Sequence, residues 1–225
     1  MKKILVLIII FLSSNVMAHM DHYKKYNKIE MDILRNGELI GYNYYFFKRK
    51  GDETTVTNQI KFSVKLLGTT IFKVEGYGEE KYLKDKLISY VSKTLQNDKE
   101  KFVNLIFDKD KNKFNIKGSS YSGEASIDSI IGNWWSHKIL QTGIQISPIS
   151  GSIKEQVVIF VGKEKIEQNG QIYEVDHFKL KSKDMTLPKD KRLNFDIWFN
   201  RKNSMIIRVS YSRMGNWEYR LKNFE

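Results

Sequence analysis

The sequence predicts a mainly β protein: a strongly curved antiparallel sheet or half-barrel of about twelve strands, with one short helical segment covering it. Three observations carry that reading. Period-two, β-branched and aromatic runs recur along most of the chain, separated at short intervals by turn residues. With 13 Phe, 12 Tyr and 4 Trp there is material for a large core, which must hold without disulfides because the chain has no Cys. Only one stretch, residues 127–140, spaces its apolar residues near a helical period.

The elements follow in order. Residues 29–34 alternate, and Asn36-Gly37 then supplies the dipeptide a type I′ hairpin prefers, because both central residues need positive φ. Residues 39–47 return as the second strand, and Lys50-Gly51-Asp52 turns into a long Thr- and Val-rich strand over 54–67. Strands are expected over 71–82, 87–95, 102–107 and 113–117, divided by turns at Gly68, Lys84-Asp85-Lys86, Asn97-Asp98 and residues 108–112. Residues 164–168 and 172–180 flank Asn169-Gly170 as a second hairpin of the favoured kind. Residues 193–199, 205–211 and 217–221 complete the set. In residues 127–140, Ile127, Ile130, Ile131, Trp134, Trp135 and Leu140 fit a short helix or a pair of turns, placed to plug or cover the sheet.

Residues 1–18 have the layout of a cleaved secretory signal. Lys2 and Lys3 precede an apolar run over 4–12, and Val16-Met17-Ala18 offers a cleavage site after Ala18. The run is shorter than the roughly 20 residues a membrane span needs, so the chain is not expected to span a membrane. The expected location is periplasmic or secreted. The mature chain, residues 19–225, is expected to be a single β-rich domain, since only 2 Pro and no Gly/Ser-rich linker interrupt it. Its formal charge of +12, or +10 without Lys2 and Lys3, suits an anionic partner. Export and the lack of a tight Lys/Arg cluster argue against nucleic acid, and scattered solvent-facing Lys is the simpler explanation.

Catalytic patterns are sparse. There is no Cys nucleophile and no G-x-S-x-G elbow. Glu79 and Glu80 are neighbours on a strand and so face opposite sides. Asp176 and Asp196 fall within strands, where an inward carboxylate would be a site candidate. Of four His, His19 would become the mature N-terminus and offer an amine and an imidazole to copper. Such tails are usually disordered, His22 can equally be solvated, and no paired ligand spacing accompanies them. No metal, cofactor or catalytic residue is therefore assigned.

Several short motifs together resemble a bacterial exported family, domain of unknown function 6134. They are the hairpin Leu34-Arg35-Asn36-Gly37-Glu38-Leu39-Ile40-Gly41, then Glu80 with Asp85-Lys86-Leu87, Thr94, Asn133-Trp134-Trp135, Ile197-Trp198-Phe199-Asn200 and Tyr219-Arg220-Leu221. This chain is richer in Lys than the family pattern, and has Asn200 where that pattern leads one to expect Asp. The resemblance implies a compartment and an outline similar to the half-barrels of periplasmic lipoprotein carriers, and implies no activity.

The functional expectation is a non-enzymatic periplasmic protein holding a lipid or other apolar or amphipathic molecule on the concave face of its sheet. The candidate residues are Ile131, Trp134 and Trp135 from the covering segment, with Phe62, Phe72, Tyr77 and Trp198 from strands. The alternative is an envelope structural or interaction module that binds anionic lipid or glycan surfaces through its excess Lys.

Overall fold

The computed structural model describes residues 19–225, so the proposed signal sequence lies outside the described residues. Fifteen strands form one curved, open sheet. The first eight are β1 Lys28–Arg35, β2 Glu38–Lys50, β3 Glu53–Leu66, β4 Thr69–Leu83, β5 Lys86–Gln96, β6 Lys99–Asp108, β7 Lys113–Gly118 and β8 Ser122–Ser126. Two short strands follow, β9 Ile130–Ile131 and β10 Ile144–Ile146. The last five are β11 Ile153–Gln168, β12 Gln171–Ser182, β13 Asn194–Asn200, β14 Met205–Ser212 and β15 Asn216–Phe224.

The spatial order is β8 through β1, then β15 down to β9. Each half runs through sequence neighbours as an antiparallel meander, except that β9 pairs parallel with β10, and the halves join where β1 pairs antiparallel with β15, from Ile29↔Phe224 to Arg35↔Trp217. The first and last strands of the sheet therefore lie at its centre. All turns between odd and following even strands in the first half face one end of the sheet, here called the upper rim. The β14–β15 turn lies at the same end, since Asn36 N–H bonds the Asn216 carbonyl at 2.7 Å.

Fifteen strands replace the expected twelve. The extra ones are β8, β9 and β10, whose short runs give too little alternation to stand out. In addition, β11 begins at Ile153, eleven residues earlier than the sequence suggests. The helical segment expected over 127–140 is mostly not helical: β9 and an irregular stretch precede a single 3-10 turn, His137–Leu140. Its N-cap Ser136 accepts a hydrogen bond from the Lys138 N–H at 3.3 Å. The N-terminal segment is also ordered, against the expectation of a loose tail. A 3-10 turn, His19–Tyr23, packs Met20 and Tyr23 into the core, with Tyr23 fully buried. His22 is half-buried, with its ring 5.3 Å from that of His137.

Alternate residues of the strands turn inward and build the core on the concave face. Met31, Tyr45, Phe47, Val56, Tyr82, Ile197 and Val209 gather there with Trp135 and Ile139 from the inner segment. A second cluster joins Tyr90, Leu105, Phe114 and Ile116 to Ile131 and Ile146. A third, toward the upper rim, holds Ile33, Val64 and Trp217 with Phe62 and Phe72 against them.

The first hairpin shows how local chemistry sets the curvature. Asn36 and Gly37 take φ of 52° and 84°, the conformation their turn requires. The register then slips: Ile33 faces Gly41 while Leu34 faces Leu39, so Ile40 is the extra residue of a β-bulge. At Gly41 the neighbouring strand comes so close that a Cβ would stand 2.1 Å from the Lys61 carbonyl oxygen. Gly41→Ala should thus force β2 and β3 apart and cost about 3 kcal/mol or more, beyond ordinary overpacking. Gly37→Asn meets open space and bears only the backbone strain of φ 84°, which Asn carries better than most residues, so it should cost about 1 kcal/mol. Thermal unfolding of the two variants checks the contrast.

Candidate functional site

The segment between β8 and β11 runs across the concave face and is bonded to both halves of the sheet. Its anchor is Glu80, on β4. Strand alternation sends Glu80 inward with Tyr82, and the side chain is buried. Oε1 accepts from Asn133 Nδ2 at 2.6 Å and from Trp135 Nε1 at 2.9 Å, while Oε2 accepts from the Tyr82 hydroxyl at 2.5 Å. Burial pushes the Glu80 carboxyl pKa up, and the three donors act against that shift. Three further bonds tie the same segment down. The Trp134 N–H donates to the Tyr45 hydroxyl at 3.2 Å, and Tyr90 and Ser92 on β5 donate to the Pro148 carbonyl at 3.0 and 2.7 Å. Nearby, the Tyr23 hydroxyl lies 2.8 Å from His137 Nδ1, and burial pulls the His137 imidazole down to about 4.

Trp134 and Trp135 point to different surroundings. Trp135 is in the core, edge-on to Tyr23, Phe47 and Tyr82 at 5.0, 5.4 and 6.0 Å. Trp134 is half-buried against Phe195 of β13 and Tyr219 of β15, at 5.1 and 6.1 Å. It forms one wall of a cavity of about 280 Å³, just under the roughly 300 Å³ at which small-molecule sites begin. Asn43, Tyr45, Tyr90, Phe195 and Tyr211 line the rest, with the basic side chains of Lys154 and Arg213 among them. Asn43 donates to the Tyr45 hydroxyl at 2.8 Å and accepts from Asn58 at 2.5 Å, which fixes the polar part of the wall. Burial raises the pKa of Tyr45, Tyr90 and Tyr219, and takes Tyr211 up to about 12. The wall is thus made of neutral hydroxyls, amides and rings, with two cations.

Of the seven residues singled out by sequence, Trp134 presents its ring to this cavity. Trp135 lies in the first apolar cluster and Ile131 in the second, beneath the segment. Phe62 and Phe72 contact each other at 5.9 Å, and Phe62 also meets Trp217 at 5.5 Å in the rim cluster. Tyr77 borders the cavity through its strand, while its hydroxyl bonds Glu79 on the outward side. Trp198 stacks on His177 at 4.7 Å and donates to Glu164 at 3.1 Å. A larger groove of about 930 Å³ lies between the β11–β12 hairpin and the 200–203 turn. Its Lys163, Lys165, Arg201 and Lys202 are set among Glu164, Glu174 and Asp176, so the charges nearly cancel around the apolar Ile172, Tyr173 and Val175.

Of the two strand carboxylates, Asp176 turns inward while Asp196, next to the core residue Ile197, shares the outer face with Lys179, and both have structural partners. Asp176 is buried and paired with Arg201, and Asp196 bonds His177 at 3.0 Å and Lys179 at 2.6 Å. Asn200, at the position where an Asp was expected, caps the β13–β14 turn: its Oδ1 accepts from the Asn203 N–H at 3.0 Å. The side chains of the candidate site that sequence reasoning did not single out are Glu80, which holds the segment, and Tyr45, Tyr90 and Tyr211, which line the cavity. Strand alternation alone could have marked Glu80 as inward, since it shares a face with Tyr82.

An isosteric replacement separates the geometry of Glu80 from its charge. In Glu80→Gln the amide oxygen can accept from Asn133 and Trp135, and the amide nitrogen can donate to Tyr82. This variant should lie within about 1 kcal/mol of the parent at pH 7, whereas Glu80→Leu strands three buried donors and should lose about 3 kcal/mol or more. The pH dependence has a definite sign. The folded-state pKa is raised above the usual 4.5, so Glu80's contribution is fully present below that pH and is lost as pH rises through the raised value. His137 contributes oppositely, its stability being lost as pH falls from 6.5 through about 4. Denaturant midpoints of parent and Glu80→Gln across pH 4–8 should therefore diverge in favour of the variant as pH rises.

No curated protein matches this sequence at a significant level. Among solved structures, the chain is similar to a β-barrel-like protein of domain of unknown function DUF1849 from Brucella abortus. The two are 9% identical, with a TM-score of 0.61 over 88% of this chain and 96% of that one, which is a likeness of fold. A DUF1329 family protein from Desulfovibrio piger aligns over 92% of this chain and 88% of its own at 10% identity, with a TM-score of 0.27. A family profile described as a domain of unknown function, DUF6134, matches residues 31–222. The match runs from β1 to β15 and takes in both Glu80 and the Asn133-Trp134-Trp135 segment that meets it: the chain belongs to the DUF6134 family.

Proposed function

We propose that this is an exported, periplasmic, non-enzymatic protein that holds an apolar or amphipathic molecule in the cavity between the concave face and its inner segment. The observation that carries the reading is the cavity of about 280 Å³ walled by Trp134, Phe195, Tyr45 and Tyr211. Its neutral hydroxyls and amides can orient a ligand through hydrogen bonds, while the rings cover an apolar body. Lys154 and Arg213 favour a ligand with an acidic head. Export rests on the layout of residues 1–18. A cavity this size accommodates part of a lipid chain or a small amphiphile whole.

Native mass spectrometry of the protein taken from the envelope should show two things. The polypeptide mass should correspond to a chain starting at His19, and a non-covalent adduct should accompany it. A chain retaining residues 1–18 would contradict export by cleavage after Ala18, and bare polypeptide alone would contradict ligand capture. Trp134→Ala should abolish the adduct with a small change in melting temperature, because the side chain is half-buried. Trp135→Ala should cost about 3–5 kcal/mol, as for other buried aromatics. Equal, large losses of stability at both positions would remove Trp134 from the cavity wall and the reading with it.

A further inference from the structure

Eight described residues outside glycine have φ near +50°, and six of them are turn residues of polar type: Asn36, Lys84, Asn97, Asn112, Asn169 and Ser204. The other two are Leu67, at φ 49°, and Met214, at φ 51°. A left-handed turn position favours Gly, Asn or Asp, so an apolar side chain there is a choice against local stability. These two are also the most exposed large hydrophobics, Leu67 at 98% and Met214 at 87%. Leu67 tips the β3–β4 hairpin and Met214 the β14–β15 turn, both on the upper rim. Leu39, Leu66 and Met185, at 61%, 60% and 55% exposed, stand at the same end. The Met214 turn is held in place, since Arg35 Nε donates to the Met214 carbonyl at 3.2 Å.

The rim is basic as well as apolar. Lys65 and Arg213 flank the two tips in sequence, Arg35 lies beside Met214, and Lys183, Lys189 and Lys191 surround the β12–β13 connection that carries Met185. Acids stand among them: Glu38, Asp98, Asp184 and Asp190, with Glu155 and Glu100 paired to Lys183 and Lys93 at 3.0 and 2.8 Å and Asp98 met by Lys73 at 3.8 Å, while Lys99 and Arg192 at the same end keep the basic groups in excess. Without Lys2 and Lys3 the chain carries a formal +10. Projecting apolar tips in a cationic surround match the interfacial layer of an anionic bilayer. There the side chains leave water and the lysines meet phosphate heads. A glycan surface would match the charge and leave the tips unexplained. Arg213 belongs to both the rim and the cavity lining, so the cavity lies next to the docking end.

We propose that the upper rim docks on anionic membrane surfaces by inserting Leu67 and Met214 among the lipid heads. Docking needs no occupied cavity, so it stands or falls separately from ligand capture. The chain has no Cys, so Thr69→Cys can carry a single environment-sensitive fluorophore at the β3–β4 tip. With vesicles of phosphatidylethanolamine and phosphatidylglycerol, the label should shift to the blue and the protein should co-sediment. Phosphatidylcholine vesicles, or roughly 0.5 M salt, should weaken binding steeply. Leu67→Asn with Met214→Asn should reduce vesicle affinity at least about tenfold, from the lost apolar burial. The melting temperature should hold or rise, because Asn suits both turns. A label that stays in water while the protein sediments would show binding through another part of the chain. Undiminished binding of the double variant, or no binding to anionic vesicles, would equally overturn the proposal.

Discussion

The carboxylate of Glu80 is the constraint on which the interior arrangement depends. It sits inside a curved sheet, out of water, and three donors converge on it from β4 and the inner segment. Desolvating a carboxylate is costly, and the bonds it accepts offset that cost only in one geometry. A hydrophobic residue at position 80 could fill the space but would leave the Asn133, Trp135 and Tyr82 donors without their acceptor. With Glu80 present, Asn133 and Trp135 have one place to go, and Trp134 is directed the other way. The buried polar group thus specifies which indole enters the core and which borders the cavity.

That division matters because the sheet is open. β1 and β15 join its two meanders at the centre, so the concave face needs something to span it. The inner segment does so, bonded to Tyr45, Glu80 and Tyr90 on one half and packed through Trp134 on Phe195 and Tyr219 of the other. Where Trp135, Ile139 and Ile131 fill the space, the interior is core. Where Trp134 stands off toward the upper rim, amides and tyrosine hydroxyls face an unfilled volume. The same rim carries the projecting Leu67 and Met214, so the candidate ligand space and the candidate membrane-facing end belong to one side of the molecule.

Sheet architecture was largely legible in the sequence, because its signals are local. Asn36-Gly37 and Asn169-Gly170 take the positive φ angles their residue types suggest, and the long strands β3, β4 and β12 follow alternation. The inner segment was less legible. Ile127, Ile130, Ile131, Trp134 and Trp135 imitate a helical period, but their burial is dictated by long-range partners on strands of both halves of the sheet. The N-terminal turn escaped for the same reason: nothing near Tyr23 announces that it meets His137 and the Ser204 carbonyl. Glu80 was visible as a motif residue, and its role was not, since one carboxylate in a strand gives no hint of donors 53 and 55 residues away. Bulk aromatic content likewise marked the right kind of interior without saying which rings were packed. Of the seven candidates, Trp134 reaches the tyrosine-rich wall with its ring and Tyr77 only through its strand.

The most direct measurement of the central claim is hydrogen exchange of the two indole N–H groups, followed by NMR. If Glu80 holds the inner segment, the Trp135 indole proton should exchange only through opening as costly as that of the core strands. The Trp134 indole proton, in its half-buried place, should exchange much sooner. In Glu80→Leu, Trp135 should lose its protection while the amides of β3 and β4 keep most of theirs. Fast exchange of the Trp135 indole in the parent protein, or unchanged protection in Glu80→Leu, would show that the segment is held without the carboxylate.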